Sequence, residues 1–258
     1  MNTIRKTLIA VLALVFVVSL GFVIRSQMGY RQGADDYSAA QDMAGLPQTT
    51  EPAPEVIPEE ETDPVAEALR ATDLAALQAV NEDVAGWIQI PDTVISYPMM
   101  HGKDNDLYLD HTWDLKFNSV GAIFMDYRNS RDLSDFNTIV YGHNMRDDSM
   151  FGELHNFKDP EFLAAHPYVY VADEAGCRRY EIFAAYEVSV SSAESYQLEF
   201  VDDADKQAFL DKCLVLSGGD TEIVPAPEDR ILTLSPCTGW GHSTRWVIQA
   251  VLEQEFVD

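Results

Sequence analysis

The sequence predicts a mainly β domain, many short strands closed into a barrel, carried on an apolar N-terminal anchor. Three observations predict it. Runs of four to eleven residues rich in Val, Ile, Tyr and Phe recur between turn signals from residue 87 to residue 252. Apolar residues make up 47% of the 258-residue chain, ample for one packed domain with appendages. Charge divides the chain into three unlike stretches. Residues 1–32 hold four basic residues (Arg5, Lys6, Arg25, Arg31) and no acid; residues 33–64 hold nine acids, no Lys or Arg, and five of the twelve prolines; residues 65–258 hold 13 basic against 34 acidic residues, a net of −21.

The first stretch contains TLIAVLALVFVVSLGFVI, residues 7–24, without a charge. As a helix it is roughly 27 Å long, enough to cross the hydrocarbon core. It ends GFVIRSQ, with no small-x-small cleavage site at its edge, so it reads as an uncleaved signal anchor. Residues 1–6 are then the cytoplasmic N-terminus of a single-pass protein, and the domain lies outside the cell membrane. Residues 25–64 read as an acidic, Pro-rich extracellular linker, extended by its prolines and like charges.

The folded domain is expected over 65–258. Asp63-Pro64 suits a helix start, and Ala68, Leu69, Leu74, Leu77 and Val80 give a helical stripe ending near Asn81. The period then changes. Strands are predicted at WIQI (87–90), AIFMDY (122–127), TIVYG (138–142), YVYVA (168–172), YEIFAAYEVSV (180–190), ILTLS (231–235) and RWVIQAVL (245–252). Their number and irregular connections suggest an antiparallel sheet closed into a barrel. One helix interrupts them at 202–216, with Phe209, Leu210, Cys213, Leu214 and Leu216 on its apolar side.

A net charge of −26 with no Lys/Arg cluster excludes a nucleic-acid partner. Three cysteines without a C-x-x-C pair exclude a disulfide framework and a Cys-rich zinc ribbon, and no H-E-x-x-H spacing supports a metal hydrolase. Neither a metal nor a cofactor is expected. Cys237 is the cysteine with chemical context. It ends ILTLSPC, and a hairpin return through TGWGHST to a strand from Arg245 places thiol and guanidinium at one sheet end. A neighbouring cation lowers a thiol pKa. Cys213 reads as core, and Cys177, in the turn EAGCRR, as an incidental surface thiol. Among six histidines His143 stands out, because it follows the strand IVYG and opens the polar loop HNMRDDS; His242 lies between Cys237 and Arg245 and could also reach the thiol. Thiolate, imidazolium and guanidinium are the parts of acyl transfer through a thioester. Spacing alone does not show that they converge.

At these residues the chain resembles the class B sortases, membrane-anchored cysteine transpeptidases of Gram-positive cell surfaces. The resemblance spans roughly residues 66–252 and rests on NEDVAGWIQIPDTVISYPMMHGKDNDLYL, SVGAIFMDYRNS, NTIVYGHNMRDDSMFGEL and DRILTLSPC with the following arginine. It implies a sortase-type β-barrel of about eight strands, with N-terminal helices and a helix in the long connection before the cysteine strand. By motif, Cys237 matches the nucleophile, His143 the general acid/base and Arg245 the oxyanion or substrate-binding arginine. Tyr141, Ser235, Asn105 and Leu109 match substrate-groove positions, and Ser192 and Tyr196 fall near its substrate-facing connection. The chain departs from the family at Pro236, where threonine is usual; proline removes an N–H, so an oxyanion donor must be another amide such as that of Cys237.

The resemblance implies cleavage of a C-terminal sorting signal, NPxTN-like or (S/P)PxTG-like, after Thr. The partners it implies are surface proteins carrying such signals and an acceptor amine, from a peptidoglycan precursor or cross-bridge, with a pilin lysine as a further candidate. The competing readings are a cysteine protease that hydrolyses the same peptide and an inactive surface binding module on the same barrel.

Overall fold

The computed structural model describes residues 3–46, 63–189, 194–218, 221–237 and 243–257. Its first element is α1, Thr3–Ala44, an unbroken 42-residue helix. From Leu8 onward it is long and apolar enough, by length and composition, to cross a membrane. It also corrects the expectation of an extended linker from residue 25, because residues 25–44 are helical. The reason is a buried stripe at helical spacing, Gly33, Asp36/Tyr37, Ala40 and Ala44, which packs onto the domain. Net acidity had masked that periodicity.

The helix expected from 64 to 81 is two short ones, α2 (Pro64–Arg70) and α3 (Leu74–Val80). Each has its own aspartate cap. Asp63 accepts from the Val65 and Ala66 amides, and Asp73 from the Ala76 amide. Leu69, Leu74 and Leu77 point into the core.

Eight strands close the barrel: β1 (Val84–Gln89), β2 (Ser96–Met100), β3 (Ile123–Met125), β4 (Asn137–His143), β5 (Tyr168–Asp173), β6 (Gly176–Ser189), β7 (Ile231–Cys237) and β8 (Thr244–Val257). Around the barrel the order is β1-β2-β3-β4-β7-β8-β6-β5, with β5 returning to β1. The sheet is mixed rather than antiparallel, since β2 runs parallel to β3 and β4 parallel to β7. Both parallel pairs are joined through long crossovers, as parallel strands require.

β2 was not expected, because SYPMM contains Pro98. The strand tolerates it because β3 pairs only with Met99 and Met100, leaving the far edge of Ser96–Pro98 outside that ladder. A 3-10 turn (Gly152–Lys158) and α4 (Pro160–Ala165) lie in the β4–β5 connection, and α5 (Asp203–Ser217) lies in the β6–β7 connection, within one residue of expectation. α5 packs Phe209, Leu210 and Cys213 against Phe183, Tyr186 and Val247 of the barrel wall.

Candidate active site

The parallel pairing of β4 with β7 builds the centre of the site. Its register runs from Asn137↔Ile231 to His143↔Cys237, so the two residues singled out from sequence are Cα partners at the end of one ladder. Neighbouring strands lie about 4.8 Å apart, and directly paired residues of a parallel ladder project to the same face. The ladder is locked beyond its last pair by the Asn144 amide, which donates to the Cys237 carbonyl at 3.3 Å. Pro236 sits inside β7 opposite Gly142, buried.

Arg245 is the second residue of β8, which returns antiparallel beside β7 from a Leu234↔Ile248 register. Its guanidinium carbon lies 5.9 Å from the centroid of the Tyr196 ring. Its Nε is buried and without a hydrogen-bond partner among the described residues. An arginine N–H left free at such a position is available to a substrate oxygen.

The expected electrostatics of Cys237 need correction. Arg245 and the Gly142 backbone do favour the thiolate, but burial outweighs both and pushes the thiol up to about 11. The charged form has too little solvent for one cation to compensate. Cys177 corrects a second expectation: it lies in β6, fully buried, and burial pushes it up to about 12. Cys213 is core, as expected, and all three thiols are free.

His143 Nε2 lies 2.6 Å from the Leu109 carbonyl oxygen. A carbonyl only accepts, so Nε2 carries the proton and Nδ1 remains to exchange one. Leu109 ends a 3-10 turn (Leu107–Leu109) held from beneath by Tyr108, whose carbonyl accepts from the Ala122 amide at 2.9 Å. Next to Ala122, Gly121 has φ +63°, and a Cβ there would lie 2.7 Å from His143 Cδ2 and 3.0 Å from the Leu109 oxygen. Only glycine leaves the imidazole its place.

Two further side-chain networks reach the predicted groove residues. Asp126, fully buried at the end of β3, accepts from Arg128 Nε and Nη2 (both 2.8 Å), Asn105 Nδ2 (3.0 Å) and the Tyr141 hydroxyl (3.1 Å). These donors hold its carboxyl below the usual range despite burial. Asn105 and Tyr141 are thereby fixed through one carboxylate that the sequence reading did not single out. Its only signal was an acid ending an apolar run with arginine two residues on. On the other side Ser235 Oγ donates to the Tyr196 hydroxyl at 3.1 Å, joining β7 to the 3-10 turn Glu194–Tyr196. Ser192 and His242 lie outside the described residues.

The structure thus joins Cys237, His143, Leu109, Arg245, Tyr196 and Ser235 around one sheet end, and sets Asn105 and Tyr141 on the Asp126 carboxylate. Comparison with known proteins identifies the family of the fold. The profile of the sortase domain matches residues 88–253. The chain is 42% identical over 167 residues to sortase B of Listeria monocytogenes, covering 64% of this chain and 67% of that protein. Among solved structures, a sortase B from B. anthracis superposes with a TM-score of 0.73 at 32% identity, covering 88% of this chain and 99% of the other. A Staphylococcus aureus sortase B–substrate complex gives 0.75 at 26% identity, covering 88% and 99%.

Proposed function

The chain belongs to the sortase family, in its class B branch of cysteine transpeptidases, and from that premise we propose that it joins surface proteins to a cell-wall amine through a thioester on Cys237. The observation that carries this reading is the His143↔Cys237 register with Arg245 alongside. A sorting signal of the NPxTN or (S/P)PxTG kind would lie between Asn105, Leu109 and Tyr141 on one side and Tyr196 and Ser235 on the other.

The chemistry follows from the protonation states. A thiol pushed up to about 11 is neutral in the resting enzyme, so His143 acts first as base. Nδ1 takes the Sγ proton as sulfur attacks the threonine carbonyl carbon. Arg245 stabilises the developing oxyanion. Collapse breaks the C–N bond, and the imidazolium returns the proton to the leaving amine, giving thioester and free C-terminal peptide. An acceptor amine then attacks the thioester, loses a proton to His143, and releases the Cys237 thiol.

Anchoring by residues 7–24, with residues 1–6 in the cytoplasm and the barrel outside, would place this reaction at the cell surface. The test uses the full chain and its Cys237→Ala variant with peptides carrying NPQTN, SPKTG, PPKTG and LPETG, with and without amines, read by mass spectrometry. Cleavage after Thr with amine transfer, absent in the variant, is the expected result. Hydrolysis indifferent to added amine would assign a protease instead, and no adduct or product with an unreactive Cys237 would leave a binding module.

A further inference from the structure

We propose that the catalytic domain rests directly on the bilayer, with Phe117 in the headgroup layer and Arg146 against anionic lipid phosphates, an inference that rests on reading residues 7–24 as a membrane span. The argument begins with rigidity. α1 continues without a break from that run to Ala44, so height above the bilayer can be counted along it at about 1.5 Å per residue. Gly29 lies five residues past Ile24, about 7.5 Å beyond the hydrocarbon edge, close to the outer limit of the headgroups.

The domain is already clamped to α1 at that height. Asn118 Nδ2 donates to the Gly29 carbonyl at 3.1 Å. One turn on, α1 and the loop before β3 approach so closely that a Cβ at Gly33 would lie 2.8 Å from Val120 Cγ2. Further contacts follow on successive turns: Trp113 Nε1 to the Asp36 carbonyl (3.0 Å), Lys116 Nζ to the Asp36 carboxylate (2.6 Å), the Tyr37 hydroxyl to the Gly121 carbonyl (2.6 Å) and Gln41 Nε2 to the Ser96 carbonyl (3.2 Å). Among the described residues, the barrel packs on α1 from Gly29 onward, beside the end of the apolar run.

Two surface hollows then flank α1 at its membrane end. One is walled by Phe22, Arg25 and Met28 of α1 with Phe117 and Ser119. The other is walled by Phe22, Val23 and Gln27 with Arg146 and Asp147. Phe117 and Arg146 therefore stand level with the last turn of the apolar run and the first turn after it. Phe117 is 69% exposed and Met28 65%, a waste of apolar surface in water and a fit to an interface. The charge agrees: Arg25 lines one hollow and Arg146, beside Asp147, lines the other, in a chain whose net charge is −26. Arg146 lies three residues after His143, so the loop that follows the histidine faces the lipid.

The full chain, carrying Cys237→Ala so that the buried Cys177 and Cys213 are its only native thiols, is reconstituted in vesicles of phosphatidylglycerol and phosphatidylcholine. A nitroxide is placed by Leu14→Cys, Phe117→Cys or Ala175→Cys, and its collisions with oxygen and with a water-soluble nickel chelate are measured. Ala175 is the aqueous control. It adjoins Glu174, which accepts from Gln78 of α3, the helix whose start meets Ala44 at the far end of α1. Expected are an oxygen-rich, nickel-shielded label at Leu14, nickel access at Phe117 at least about threefold below Ala175, and loss of part of that shielding in vesicles without phosphatidylglycerol. Lipid shielding at Leu14 with Phe117 as open to nickel as Ala175 would overturn the docking while leaving the span intact. Nickel access at Leu14 itself would remove the span and the docking with it.

Discussion

The β4–β7 ladder and the β6–α5 connection both supply groups to the site, but they hold them by different means. Cys237 and His143 are placed by backbone register over seven consecutive pairs, and any change that moves one strand end must move the ladder. Tyr196 is placed by side chains. It contacts the ladder through the Ser235 hydroxyl, and the hydroxyl of its neighbour Ser195 donates to the Tyr186 hydroxyl oxygen of β6 at 3.2 Å. Tyr186 also donates to Gln249 Oε1 at 3.0 Å, within a buried chain of polar groups that includes Thr233 and Asn137. On the proposed reading, the groups that do the chemistry are set in the ladder, while Tyr196 hangs on a few replaceable hydrogen bonds.

The largest test of the ladder concerns the Cys237 proton. With the thiol pushed up to about 11 by burial, the reactive thiolate is a minor species at neutral pH. Its alkylation by iodoacetamide should climb roughly tenfold per pH unit and gain about 10⁴-fold between pH 7 and the plateau. The sign follows from burial: a raised pKa means the folded state prefers the neutral thiol. Replacing Arg245 by alanine removes a charge that lowers the pKa, so the plateau should move to still higher pH. A plateau near pH 8 would mean that cations, not burial, govern this thiol.

Next in size is Arg245→Lys. The planar fork that can meet an oxyanion with a free N–H is lost while the charge stays. A fall in kcat of about 10²-fold with KM within a few-fold is expected. An unchanged kcat in steady-state transpeptidation would remove Arg245 from the transition state.

Gly121→Ala probes the support of His143. The new Cβ meets His143 Cδ2 at 2.7 Å in a backbone with φ +63°, whereas Gly218, at φ +78° where α5 ends, has nothing within 4 Å. Both alanine variants should lose about 1 kcal/mol or more of stability from backbone strain. Only Gly121→Ala should also lower kcat/KM, by about tenfold, because only it displaces the imidazole. Equal activity in the two variants, with matched thermal melts, would show that Gly121 serves the backbone alone.

These residues also mark what sequence could and could not reveal. Seven strands were visible because Val, Ile, Tyr and Phe runs carry a local signal, and the matched motifs singled out Cys237, His143 and Arg245. Strand direction was not visible: nothing in TIVYGH or ILTLSPC says that they pair in parallel, since that depends on a crossover through β5, β6 and α5. β2 was hidden by Pro98, whose place beyond the reach of the short β3 exists only in the assembled sheet. The clamped half of α1 was hidden by composition, because nine acids and five prolines averaged over 33–64 concealed a helical stripe confined to its first twelve residues. Asp126 escaped notice because a buried carboxylate has meaning only through partners 2 to 21 residues distant.

The smallest expected effect sharpens the contrast between ladder and connection. Tyr196→Phe removes the hydroxyl that accepts from Ser235 but keeps the ring beneath the Arg245 guanidinium. A neutral hydrogen bond of this kind contributes about 0.5–1.5 kcal/mol, so KM for a sorting peptide should rise about threefold with kcat nearly unchanged. Tyr196→Ala removes the ring as well, and Arg245 then loses its platform, so kcat should fall in addition. If the phenylalanine variant already lowers kcat, the connection is part of the catalytic frame and the division drawn between the two regions does not hold. If neither variant alters KM or kcat, Tyr196 lies beside the groove without shaping it, and selectivity must be sought on the Asn105–Asp126–Tyr141 side.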